Sequence, residues 1–309
     1  MRPALRAGLL PLWRDRDTIQ IGVDSRRAVA LTGVGAAAGM IGLLDGSRDR
    51  VQLVAAAGEL GIPEPVAERM LALLAAAGAL IDFPAGFIHG LRPELRPLML
   101  PELACTSVAR LDADGGAATL ARRAEMSVPV CGTGRLAATI AEILTASGVA
   151  ARPGQDSRMP ASARTLAPAI VVLAGRVPAE QADRLRRDRI AHLAVSVSEA
   201  IGVVGPVVRP GVTACLRCLD LARAERDPAW PLILAQIGAR LADPPACDAV
   251  LNVAVAAQAA AQVLTFIDEP GSTGPAENAT LELVRPGWQW RRRSWLPHPA
   301  CVCAASPAA

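Results

Sequence analysis

Four of the seven cysteines fall into two close pairs, Cys215-x-x-Cys218 and Cys301-x-Cys303. Thiolates at such spacings can reach one metal ion from two sides. Four of them complete a tetrahedron around Zn2+ and leave no position for water, the signature of a structural site. His298 precedes the tail pair as an alternative ligand. The other reading of the same residues is a redox dithiol at 215 and 218 with an unrelated tail. A second chemical possibility lies at Gly132-Thr133-Gly134-Arg135-Leu136-Ala137. This is the G-x-G-x-x-A turn, whose backbone amides can approach a phosphate at a helix start. Such a turn also serves strand–helix packing with no ligand at all. Cys247, just before a long Ala-rich stretch, has the placement of a nucleophile at a helix N-terminus. Asp248 beside it opposes thiolate formation, and a buried, inert thiol is the alternative.

These residues need elements to hold them. Residues 128–131 read as a strand entering the glycine turn, and 137–147 as an amphipathic helix leaving it. A nucleotide site then requires a second strand ending in an acid for the ribose hydroxyls. That strand instead runs into Arg152-Pro153-Gly154-Gln155, with Asp156 a few residues late. A further strand at 170–173 ends in Ala174-Gly175, and the chain contains no Lys. Nucleotidyl transfer depends on positioned positive charge, and only Arg135, Arg152 and Arg158 offer it here. The nucleotide turn therefore reads as eroded, and bound ATP and Mg2+ are not expected.

The first ninety residues have a different rhythm. Short strands are expected at 12–13, 18–21 and 28–31, and a helix over 34–44. A second helix is expected to be capped by Ser47, with Val51, Leu53 and Val54 inward. The third follows Pro63 with Val66, Met70, Leu73 and Leu74 on one face. Residues 79–81 and 87–88 would close a wing hairpin. The outline is that of a winged helix, which raises DNA binding. Charge argues against it: residues 1–90 carry nine Arg against nine acids, and Glu64 and Glu68 sit where a recognition helix would meet phosphates. Residues 91–125, with Pro93, Pro97, Pro101 and a run ending in Gly115-Gly116, read as a linker. This makes 1–90 one domain and 126–309 another, an α/β domain carrying the cysteines.

Composition narrows the classes further. The net charge is +3 and hydrophobic residues make up 52%, which suits a sizeable core and no polyanion partner. Arg291, Arg292 and Arg293 form the only run of three basic residues. The most apolar stretch, 250–267, contains Asn252, Gln258 and Gln262 and reads as a buried helix, so no membrane is expected. No signal peptide is evident, and metal-type cysteine spacing points to the cytoplasm.

The C-x-x-C knuckle, the Pro245-Ala246-Cys247-Asp248 segment before a long Ala-rich helix, and the H-P-x-C-x-C tail together resemble the ThiF and ubiquitin-activating superfamily. The resemblance is closest to the ThiF-like leader-peptide-binding proteins of thiazole/oxazole-modified peptide clusters. Residues 1–90 resemble their PqqD-like peptide-recognition unit. The resemblance implies a Rossmann-like domain with structural zinc on Cys215, Cys218, Cys301 and Cys303, and a homodimer. It further implies delivery of a precursor peptide to a YcaO-type cyclodehydratase, with the leader as an added strand at 18–21 or 28–31 and against the 66–74 helix. The alternative it carries is an ATP-dependent adenylyltransferase that activates a ubiquitin-like or sulfur-carrier C-terminus, with Gly132, Gly134 and Arg135 at the nucleotide and Cys247 as acceptor.

Overall fold

A capping box starts the first α-helix and sets the pattern for the N-terminal half. In this computed structural model, which describes residues 1–154, 169–175, 178–238, 245–272 and 274–303, Asp49 accepts from the Gln52 amide while Gln52 reaches back to the Asp49 amide. Helix α1 (Arg50–Glu59) therefore begins at Asp49 and not at Ser47, whose hydroxyl and amide are both bound to Asp45. Leu53 faces inward, whereas Val51 is exposed. The chain divides into two compact units, Met1–Ala121 and Arg122–Ala309.

In the first unit, strands β1 (Pro3–Leu5), β2 (Pro11–Trp13), β3 (Thr18–Ile21) and β4 (Val29–Thr32) precede α1. Strands β2, β3 and β4 form an antiparallel sheet with β3 in the middle. The helix expected over 34–44 is a 3-10 helix, Gly35–Leu43. Helix α2 (Glu64–Ala76) buries Ala67, Met70, Leu71 and Leu74, a helical stripe rotated by one residue from the expected face. Val66 and Leu73 are 42% and 49% exposed; the small Ala67 takes the inner position.

The expected wing does not form. Strand β5 (Leu80–Asp82) pairs antiparallel with β1, and Ala85–Gly90 is helix α3. The reason is a strand partner supplied from the N-terminus and locked by Arg6. That side chain is fully buried. It donates to the Gly78 carbonyl at 2.6 Å, to the Ser107 carbonyl and hydroxyl at 2.7 and 2.8 Å, and to the Asp112 carbonyl at 3.0 Å. The same contacts tie helix α4 (Arg96–Arg110) into this unit. Residues 91–125, read as a linker, thus contain α4 and helix α5 (Ala117–Ala124). Pro97 lies in the first turn of α4, where it displaces no hydrogen bond, and Pro101 is accommodated inside.

The second unit is a three-layer α/β arrangement around a seven-stranded sheet. Strands β6 (Ser127–Cys131), β7 (Ala150–Gly154), β8 (Val171–Ala174) and β9 (His192–Ser198) run parallel. Strands β10 (Ile201–Val208), β11 (Ala279–Val284) and β12 (Gln289–Ser294) continue it antiparallel, giving the order β12-β11-β10-β9-β8-β6-β7. Helices α6 (Gly134–Ala146), α7 (Ala179–Arg187), α8 (Leu216–Arg226), α9 (Trp230–Gly238) and α10 (Ala249–Asp268) complete the unit. Helix α10 is long and apolar enough to cross a membrane. It instead packs Leu251, Val255, Ala259 and Val263 into the core with Ile140 and Leu144 of α6. A Cβ at Gly202 would meet Val255 Cγ2 at 2.1 Å, so glycine lets this helix lie on the sheet.

Candidate functional site

The four paired cysteines converge. Cys215 caps the start of α8 in extended conformation, and Cys218 follows in its first turn. Cys301 and Cys303 come from the turn after β12, where the Cys301 amide donates to the His298 carbonyl at 2.9 Å. All four Sγ atoms lie within 4.8 Å of one another. The close pairs are Cys215–Cys218 at 3.7 Å, Cys215–Cys301 at 3.6 Å and Cys218–Cys303 at 3.2 Å. A metal–sulfur distance of about 2.3 Å would put tetrahedral sulfurs about 3.8 Å apart, so the cluster fits a metal such as zinc. The separations are far beyond a disulfide bond, and all four are free thiols.

The thiols of the cluster shift one another. The Cys215 S–H holds the Cys218 thiol down, to about 4. Cys215 is pushed up first by its bond to Cys218 and then by burial. Burial, followed by its bonds to Cys218 and Cys301, raises Cys303 to about 12. A bound dication would favour the thiolate form of all four. His298 is not part of the set. Its Nε2 faces Glu225 Oε1 at 2.8 Å, and its Nδ1 accepts from the Ala300 amide at 3.2 Å.

Aromatic and guanidinium groups fasten this module to the sheet, a feature that spacing alone did not reveal. The Arg223 guanidinium stands 5.1 Å from the Trp230 ring and 5.3 Å from the Trp295 ring. Arg293 covers Trp295 at 4.4 Å, and the Trp295 indole donates to Thr280.

At the glycine turn the first glycine has a packing role. A Cβ on Gly132 would lie 2.1 Å from the Ala174 carbonyl oxygen, so glycine is required by the neighbouring strand end. The Gly132 amide is already spent on the Gly154 carbonyl at 2.9 Å. Gly134 has a φ of +81° with open space where a Cβ would stand, a backbone conformation that favours glycine. Arg135 is exposed. Strand β8 ends in Ala174 with no acid, while Asp156 and Arg158 lie outside the described residues. Burial raises the Cys247 thiol, and Arg135 partly offsets that. Asp248 serves elsewhere: one oxygen caps α10 at the Leu251 amide, and the other pairs with Arg285.

The first unit carries a groove that sequence reasoning missed. Its volume is about 560 Å³, and Leu9, Arg27, Val29, Ala77, Val108 and Leu111 are among its lining residues. It runs beside β4, an edge strand of its sheet. The arginine pair at 26 and 27, after a turn and before a strand, was the available signal. Of the two expected strand-addition sites, β3 is excluded because it is paired on both sides. Ala77, just past the end of α2, lines the groove, whereas Val66 and Leu73 of that helix are exposed outside it.

No family model matches the chain, and no curated protein matches it. Solved structures do. The heterocyclase TruD superposes with a TM-score of 0.68 at 15% identity, over 98% of this chain and 42% of TruD. A heterocyclase in complex with substrate and cofactor gives 0.66 at 16%, over 95% and 38%. E. coli MccB with ATP gives 0.61 at 14%, over 98% of this chain and all of MccB. The chain therefore spans about two fifths of the two heterocyclases. The likeness is one of fold, a mixed α/β architecture.

Proposed function

We propose that the chain is a non-catalytic recognition and delivery protein for peptide modification. Its first unit takes up the leader of a precursor peptide as a fourth strand along β4. The observation that carries this reading is the groove beside the β4 edge, unpaired among the described residues, where Leu9, Val29, Val108 and Leu111 lie together with Arg26 and Arg27. Backbone hydrogen bonds along the edge supply affinity, and the groove selects side chains. The second unit is a ThiF-like domain held by Zn2+ on Cys215, Cys218, Cys301 and Cys303. It presents the peptide, as a homodimer, to a YcaO-type cyclodehydratase in the cytoplasm, where the thiols remain reduced. The fold shared with two heterocyclases supports this setting.

Calorimetry with the precursor peptide encoded beside this gene tests the reading. Wild-type protein is expected to bind it, and Ala77→Trp, which fills the groove from the end of α2, is expected to weaken binding by about tenfold or more, equivalent to about 1.4 kcal/mol. Equal affinity in the variant contradicts the assignment. The fold shared with MccB, solved with ATP and with AMPCPP, favours a second reading: an adenylyltransferase using Gly132, Gly134, Arg135 and Cys247 on a carrier peptide. Robust ATP–pyrophosphate exchange with such a peptide would establish it in place of the first.

A further inference from the structure

Strand β12 closes one edge of the seven-stranded sheet, and all six of its residues are exposed. Its ladder with β11 pairs Leu283 with Trp290, Glu282 with Arg291, Leu281 with Arg292 and Thr280 with Arg293. The Trp295 amide donates to the Asn278 carbonyl, which fixes the phase of the ladder. By antiparallel alternation, the backbone groups of Arg291 and Arg293 point toward β11, and those of Trp290, Arg292 and Ser294 point outward. Among the described residues nothing pairs with that outer row.

The side chains on this edge are sorted by face. Trp290 lies on the same face as the buried Leu281 and Leu283 and remains 39% exposed, extending the apolar surface to the rim. Arg292 shares that face, but its guanidinium is bound to the Pro275 and Glu277 carbonyls and the Ser294 hydroxyl. Arg291 and Arg293 occupy the other face, two residues apart. Arg293 stacks on Trp295, which leaves its N–H rim available, and Arg291 has no ion pair among the described residues. Glu282, the acid opposite Arg291, accepts from the Thr280 hydroxyl at 3.0 Å.

We propose that β12 is a docking edge for an extended acidic segment of a partner protein, in which Asp or Glu alternates with apolar residues. The outward backbone row receives the segment as an eighth strand. Carboxylates two residues apart meet Arg291 and Arg293, while the intervening apolar side chains cover Trp290. A second copy of this chain does not fit, because β12 against β12 sets arginines opposite arginines. Nucleic acid could satisfy the charge but not the backbone ladder. This inference is independent of the groove beside β4.

The test uses the full-length chain and a fluorescein-labelled synthetic peptide in which three Glu alternate with three Val, followed by fluorescence anisotropy. Saturable binding is expected, weakened about tenfold or more by the double substitution Arg291→Glu/Arg293→Glu. Trp290→Pro removes an outward N–H without touching the β11 ladder. It should weaken binding about tenfold beyond Trp290→Ala, with circular dichroism unchanged. No saturable binding by the wild type overturns the proposal and leaves the arginines as guards against edge aggregation. Affinity unchanged by charge reversal, or by proline relative to alanine, overturns it as well. Tighter binding of a single-stranded oligothymidylate probe at the same residues replaces it with a nucleic-acid site.

Discussion

Cys218→Ser is expected to abolish the proposed zinc binding and unfold the module built by β10, α8 and residues 295–303. Cys218 is fully buried and central to the cluster, with sulfur neighbours at 3.7 and 3.2 Å. Around it the core contains only a few apolar residues, among them Val208, Ala214, Leu219 and Trp295. So small a cluster does not hold a loop and a chain terminus together without a staple. Structural zinc sites supply about 10–16 kcal/mol of apparent binding energy in small peptides, comparable to the whole stability of a domain, about 5–15 kcal/mol. Replacing one thiolate by a hydroxyl forfeits most of that. Elemental analysis should fall from about one zinc per chain to near zero, and limited proteolysis should cut within α8 or after β12. Full metal content with unchanged proteolysis contradicts the ligand set.

The second large effect belongs to Asp268. Its carboxylate receives both Nε and Nη2 of Arg123, at 2.9 and 2.6 Å, with side-chain exposures of 11% and 7%. Arg122 donates to the Asp268 carbonyl, and Arg123 also donates to the Ser147 carbonyl. The pair ties the end of α10 to α5 and to the end of α6. Asp268→Ala strands a buried guanidinium and is expected to cost about 3–5 kcal/mol, lowering the melting temperature by roughly 10 °C for a unit of this size. The double substitution Arg123→Leu/Asp268→Leu removes both charges and should recover much of the loss. Thermal unfolding of Arg123→Leu, Asp268→Leu and the double variant completes the cycle; a single substitution without effect would show that the pair is solvated.

The cysteine cluster was legible in the sequence because thiolate pairs have few other uses at those spacings. The strand–turn–helix at 128–147 was legible because periodicity changes at the glycines. Other features depended on partners that local pattern does not specify. Residues 79–88 could not form a hairpin once β1 had paired with β5, and that pairing rests on the long-range contacts of Arg6. Helix α4 was obscured by Pro97 and Pro101, which composition counts as loop signals although the first turn tolerates proline. The inward face of α2 was displaced by one residue because Ala67 carries little hydrophobic signal yet fits closest to the core. The groove beside β4 joins residues 9, 29, 77, 108 and 111, which no motif connects. At the glycine turn, the need for Gly132 comes from the approach of the Ala174 carbonyl, a contact that the motif does not specify.

Amide hydrogen exchange, with and without the precursor peptide, bears most directly on the delivery reading. Peptide is expected to slow exchange along residues 29–32 while leaving 132–135 unchanged, and ATP is expected to alter neither segment. Protection at 132–135 on adding ATP, with none along 29–32 on adding peptide, would contradict it.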